Sequence, residues 1–175
     1  MSALNHFRFD GFHLRPTNPL DRALAEQWTA MDPAHAGVIA PEFWLEQRLG
    51  RDSFLLSDKT GPVFFFKMHI LAHYRLRWLE EHDGVQMPVE QNLRNCVQIF
   101  LQFAPYDTDY DDALRFQLRR RMRAGLVKGQ VWLEKVLRQY QATEVFLDTR
   151  SEPLVHFSVN RLGFTQDGIW LRRRL

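Results

Sequence analysis

The chain has 175 residues, 45% hydrophobic and 25% charged, with seven histidines, one cysteine and a formal net charge of +2. That length predicts one domain, residues 1–175, with room for a sizeable core, and the composition excludes a disordered or collagen-like chain. The lone Cys96 excludes an internal disulfide framework. It opens an apolar run that suits a buried structural thiol better than a nucleophile. No secretory leader and no apolar stretch of about 18 residues is present, so a cytoplasmic protein without a membrane partner is expected.

The small net charge hides an asymmetry. Ahead of Arg115 stand 10 Lys/Arg against 16 Asp/Glu, and from Arg115 onward 13 against 5. A basic second half would draw an anionic ligand, and a solvated arginine-rich face reads equally well.

In chain order, Phe7 to Pro16 carries the strand-like alternation Phe7, Phe9 and then Phe12, Leu14, and Pro16 breaks it. Asn18-Pro19 starts a helix over Leu20 to Met31, and Asp32-Pro33 ends it. A loop, DPAHAGVIA, follows. Pro41 to Leu49 reads as a second short helix with Pro in its first turn and Gly50 after it. Ser53–Ser57 and Val63–Leu71 form a hairpin across the DKTG turn. The pattern of His73 to Glu81 fits either more strand or a helix. Asn95 to Phe103 is a buried strand closed by Pro105.

The acidic run YDTDYDD then precedes LRFQLRRRMR, where Leu114, Leu118 and Met122 repeat at helical spacing behind a cap at Asp109 or Asp111. This helix either runs on or breaks at Gly125. From Gly125, the positions Leu126, Leu133, Val136, Leu137 and Tyr140 recur on one helical face. EVFLDT (Glu144 to Thr149) has strand length and strand residues. Ser151 is placed to cap a helix bearing Leu154, Val155, Phe157, Ser158 and Leu162, and Gly163 supplies its left-handed end.

The segment from Gly125 to Phe164, and above all RSEPLVHFSVNRLGF, resembles the second half of the GNAT-type N-acetyltransferase superfamily. The resemblance implies an α/β (α+β) fold. Its central sheet is mixed, mostly antiparallel and twisted, of about six to seven strands flanked by helices. It also implies an acyl-coenzyme A-dependent N-acyltransferase that moves an acetyl group from acetyl-CoA to an amine on a small molecule or protein. The family's phosphate loop, Gln/Arg-x-x-Gly-x-Gly/Ala opening a helix, falls on Arg123, Ala124, Gly125, Leu126, Val127, Lys128 and Gly129. Such glycines let backbone N–H groups approach a pyrophosphate at a helix N-terminus. Gly125 matches the first glycine, whereas Val127 and Met122 stand where the second small residue and the Gln/Arg would be. Arg121, Arg123 and Lys128 offer charge in another geometry.

By the same resemblance, the backbone around Gln102 and Phe103 would receive the pantetheine arm, and Asn160 would reach the coenzyme. The family's acid, a Tyr four residues before the Gly of LGF, is replaced by Val159, which transfers no proton. His69, His73, Glu80 and Ser158 are left as candidate catalytic groups without a motif behind them, and Tyr140 is a nearby tyrosine in sequence. The alternative reading keeps the fold as a non-catalytic binding or assembly module. Its aromatic surplus (Trp28, Trp44, Trp78, Trp132) would suit an interface, and Trp170 would sit at a homodimer edge strand. The Arg119–Arg123 and Arg172–Arg174 runs bring nucleic acid into view as a weaker reading, since no stacking aromatics are interleaved. His69 and His73 do not offer zinc-ligand spacing on a strand, so no metal is expected.

Overall fold

The computed structural model describes residues 6–48, 50–82, 85–106, 109–139, 141–168 and 170–175, with side chains described outside 71–94. Among them, nine strands form one mixed sheet in the order β1-β2-β4-β5-β6-β7-β9-β8, with β3 on β4. Three long elements thread the fold: β5 (Gly61–His82), β6 (Val85–Phe103) and helix α2 (Asp112–Gln139). Backbone pairing settles the stretch from His73 to Glu81 as strand, part of β5. Two compact units are distinguished, Met1–Met68 with Phe100–Trp132, and His69–Ile99 with Leu133–Leu175.

In the first unit the opening segment forms two strands, divided where the alternation shifts phase between Phe9 and Phe12. β1 (Phe7–Phe9) and β2 (Phe12–Pro16) pair antiparallel around Asp10-Gly11. Both turn residues have positive φ, 45° and 85°, the geometry of a two-residue hairpin, and Gly11 adopts it without a side-chain penalty. β2 in turn pairs with β4 (Arg51–Asp58), Leu14 opposite Leu56. Helix α1 (Arg22–Met31) is entered through a 3-10 turn at Pro19–Asp21, where Asn18 and Asp21 form a capping box. The second helix expected over Pro41–Leu49 is shorter. A 3-10 turn covers Pro41–Leu45, and then Gln47–Arg48 pair with β4 as β3. Sheet pairing of those two residues takes the backbone groups a helix would have used. Trp28, Trp44, Leu55 and Phe65 pack around Ala25 as one core cluster of this unit.

In the second unit β7 (Glu144–Asp148), helix α3 (Glu152–Arg161), β8 (Thr165–Asp167) and β9 (Trp170–Arg174) follow one another. β6 and β7 run parallel, Cys96 to Gln98 against Glu144 to Phe146, and β9 pairs antiparallel with both β7 and β8. β9 is therefore an interior strand, and Trp170 is 7% exposed and packs edge-on against Phe146. This corrects the expected dimer edge at Trp170. Trp28 and Trp44 are core rings too, while the Trp78 side chain lies outside the described residues. Ser151 occupies the N-cap position of α3 without a side-chain cap bond, and its N–H instead reaches Thr149 Oγ1 at 3.1 Å. Gly163 (φ 70°) ends the helix as its position suggests.

Candidate functional site

The segment expected to form a phosphate loop is helix. α2 begins at Asp112 and continues unbroken through Gly125 to Gln139. An N–H inside a helix is already given to the carbonyl four residues back, so Gly125 to Gly129 present no N-terminal cradle for an anion. The true start of α2 is acidic: Asp111 Oδ1 accepts the Leu114 N–H at 2.7 Å, and Asp112 follows. Carboxylates there already fill the role an anionic ligand would take. Gly125 has a packing reason instead. It is buried, and a Cβ on it would meet Leu56 Cδ2 at 2.7 Å and Phe64 Cε1 at 3.0 Å. The absent side chain lets α2 lie close on the sheet.

The neighbouring cations are committed as well. Arg121 grips the β4–β5 turn, with Nε 2.7 Å from Asp58 Oδ2, a second nitrogen 2.8 Å from Oδ1, and a bond to the Gly61 carbonyl at 2.9 Å. Lys128 pairs with Asp10 at 2.7 Å. Arg123 lies exposed on the same helix, as does Val127, whereas Ala124 and Leu126 are half-buried. Two of the three arginines in the C-terminal run are paired within the second unit. Arg172 binds Glu144 and, at 3.1 Å, Asp167, and Arg173 binds Glu134 and the Leu162 carbonyl. Ion pairs of this kind leave less charge for a phosphate backbone.

The end of β6 is the richer place. The parallel ladder with β7 stops at Gln98–Phe146, yet β6 continues to Phe103. Gln102 is 1% exposed, so its amide must be satisfied inside. Its Nε2 donates to Asp32 Oδ2 at 2.9 Å and to the Phe103 carbonyl at 3.2 Å, and its Oε1 contacts His35 Nδ1. Asp32 Oδ2 also lies 3.3 Å from His35 Nδ1. The three side chains form one polar cluster, and the sequence alone does not single out Asp32 or His35. Their signal is faint: a lone histidine in the loop DPAHAGVIA.

Other candidates are dispersed. His69 is half-buried on β5, and the side chains of His73 and Glu80 lie outside the described residues, as does Tyr140. Ser158 is fully buried, and among the described residues its Oγ has no hydrogen-bond partner. Val159 and Asn160 do meet, in a groove of about 440 Å³ lined also by Arg150, Glu152, Val155, His156 and Gln166. Asn160 spends one amide hydrogen on the His156 carbonyl, 2.8 Å away. No described helix is long and apolar enough to cross a membrane.

No family model and no curated protein sequence matches the chain. Solved structures do. The aminoglycoside acetyltransferase AAC(6')-Ib in complex with coenzyme A aligns with a TM-score of 0.57 at 12% identity, covering 93% of this chain and 94% of that one. Ribosomal-protein-S5-alanine acetyltransferase from Vibrio fischeri aligns at 0.52 and 11% identity, covering 97% and 96%. A putative acetyltransferase from Salmonella typhimurium, solved with acetyl-CoA, aligns at 0.51 and 12% identity, over 95% of each chain. At such identities the likeness speaks for the fold, and it spans nearly the whole length. The sheet order, the parallel β6–β7 pair and the helices that flank them are those of the GNAT-type N-acetyltransferase fold.

Proposed function

We propose that the chain is an N-acyltransferase that moves an acyl group from a coenzyme A thioester, acetyl-CoA first among them, to an amine. The observation that carries this reading is the end of β6. The strand runs on to Phe103 past the last pair of its parallel ladder, on a fold that neighbours solved with coenzyme A or acetyl-CoA share. Backbone N–H and C=O groups there can hold an amide-bearing arm and polarise a carbonyl, independently of side-chain identity. The Gly125 segment does not fit a pyrophosphate, so the donor would be held by its thioester arm, with exposed arginines such as Arg123 supplying diffuse attraction.

A second reading has its own support. The unbroken α2, the packed Gly125 and Val159 in place of a proton donor suit a GNAT-shaped binding module. Calorimetric titration with acetyl-CoA and with free coenzyme A, at low and moderate salt, separates the two. Micromolar binding, about −8 kcal/mol, supports the acyltransferase and justifies an amine screen. No heat and no thermal shift at millimolar ligand overturns it in favour of the binding module.

A further inference from the structure

We propose that His35 is the general base of this site, held in its basic tautomer by Asp32 and Gln102, and that the acceptor amine gives up its proton to His35 Nε2. The inference rests on the acyltransferase reading, which puts the acyl group at the end of β6, one residue from Gln102.

The turn that carries His35 is fixed by its own backbone. Asp32 follows the last residue of α1 and donates its N–H to Trp28 O at 3.1 Å. Its carbonyl then accepts from His35 N at 3.0 Å and Ala36 N at 2.8 Å, while its Oδ1 accepts from Ala34 N at 2.9 Å. The His35 carbonyl accepts from Val38 and Ile39, both at 2.9 Å. A segment without regular structure is thus tied at both ends of the histidine. The imidazole packs 5.8 Å, centroid to centroid, from Trp44, which is fully buried.

The tautomer follows from the partners. Gln102 Nε2 faces two acceptors, Asp32 Oδ2 and the Phe103 carbonyl, so rotating the amide would set oxygen against oxygen twice. Its Oε1 therefore faces His35, and both atoms near Nδ1 are acceptors, Gln102 Oε1 and Asp32 Oδ2. The ring proton of the neutral imidazole belongs on Nδ1, and the lone pair on Nε2. Nδ1–H held by a buried acceptor, with a carboxylate beside it, orients a histidine base and stabilises the imidazolium that forms. The side chain keeps 20% of its surface exposed, and the partners the structure gives it are all on Nδ1.

The step is a proton transfer. The acceptor, bound as an ammonium, gives one proton to Nε2 and so frees its nitrogen lone pair for attack. As the new C–N bond forms and the C–S bond breaks, the thiolate leaves and takes up, through solvent, the second proton the nitrogen sheds. The imidazolium, paired with Asp32, returns its own proton to solvent. Against the ring stand Asp32 from the turn, Gln102 from β6 and Trp44 from the 3-10 turn. Of these, Asp32 alone has an ionisable side chain. Asp32 and Gln102 are positioning residues.

Two measurements test the assignment. Nitrogen-15 NMR of the imidazoles, with His35 assigned by its loss in His35→Gln, should place the neutral proton on Nδ1. A proton on Nε2 overturns the proposal without any assay of transfer. Thiol release from acetyl-CoA is then followed over a panel of primary amines, including polyamines, aminoglycosides and peptide N-termini. His35→Ala should lower kcat by about 100-fold, leave KM for acetyl-CoA unchanged, lose the acid limb of the pH–rate profile and recover partly with added imidazole. Asp32→Asn should lower kcat less and keep that limb. Wild-type turnover that survives in His35→Ala overturns the base alone. So does a loss that imidazole does not rescue and that leaves the shape of the profile intact. No wild-type turnover with any amine overturns the acyltransferase reading, and this assignment with it.

Discussion

Gly125 lies against Leu56, so close that a Cβ on the glycine would stand 2.7 Å from Leu56 Cδ2. Leu56 is 1% exposed and Phe64, the next neighbour, 4%, which leaves neither side chain room to move. Gly125→Ala should therefore destabilise the fold by about 1 kcal/mol, because overpacking of ~1–3 kcal/mol exceeds the helix-propensity gain of ~1 kcal/mol. At Gly129, on the same helix, an added methyl would have no neighbouring atom within 4 Å, and Gly129→Ala should stabilise by up to about 1 kcal/mol. Paired urea melts of the two variants check this. Equal effects would remove the packing account of Gly125.

Lys67 has 0% exposed surface, yet its ammonium is satisfied: Glu46 Oε2 and the Phe43 carbonyl each lie 2.6 Å from Nζ. The Phe43 ring adds its face at 4.0 Å. Burial pushes the Lys67 pKa down, while the hydrogen bond from Lys67 holds the Glu46 carboxyl below its ordinary range. Removing one partner strands a buried charge, whereas removing the charge itself does not. Glu46→Gln should cost about 3 kcal/mol and Lys67→Met clearly less, read from denaturant midpoints. The reverse order would show that packing of the lysine stem, not the pair, sets the energy.

Asp58 and Arg121 tie the β4–β5 turn to α2, and their ion pair is mostly shielded, with side-chain exposures of 13% and 19%. Burial raises the Asp58 pKa, but bonds from Arg121, Thr60 N–H and Gly61 N–H outweigh it, and the net shift is downward. A depressed carboxyl contributes stability that is present above the unfolded pKa of about 3.9 and is lost as pH falls through the folded value. Asp58→Asn should lower stability at pH 7 and flatten the acid limb below about pH 4. The exposed Asp10–Lys128 pair, at 63% and 48%, offers the control. Asp10→Asn should change stability by less than about 1 kcal/mol. Thermal melts from pH 2 to 7 on both variants decide it, and matching acid limbs would sink the distinction.

The fold is legible in the sequence because its second half is locally consistent. The strand at Glu144 and the helix ending at Gly163 carry the period and end signals the architecture needs, and in the first half the β4–β5 hairpin carries its turn residues. The Asp10-Gly11 turn is equally written, in the phase shift of the apolar alternation between Phe9 and Phe12. The second helix fails because pairing of Gln47 and Arg48 with β4 depends on tertiary contact that local pattern does not carry. The site is harder to read. A glycine in a basic segment fits a phosphate loop and close packing alike, and only the position of Leu56 and Phe64 separates them. The Asp32–His35–Gln102 cluster joins residues almost 70 positions apart, and no spacing rule predicts that meeting.

Cys96 provides a probe of the second unit and a check on any thiol-based assay. It is 0% exposed on β6, and burial, with Glu144 nearby, raises its pKa from 9.0 to about 11. The thiolate is the reactive form, so native protein at pH 8 should leave a thiol reagent unspent, while denatured protein should consume one equivalent. A raised pKa contributes stability that is complete below the unfolded value and is lost as pH climbs through the folded one. Stability should therefore fall by roughly 3 kcal/mol between about pH 9 and 11 through this group, and Cys96→Val should remove that part of the alkaline slope. Rapid labelling of the native protein, or identical alkaline slopes in the two proteins, would show that Cys96 is open to water.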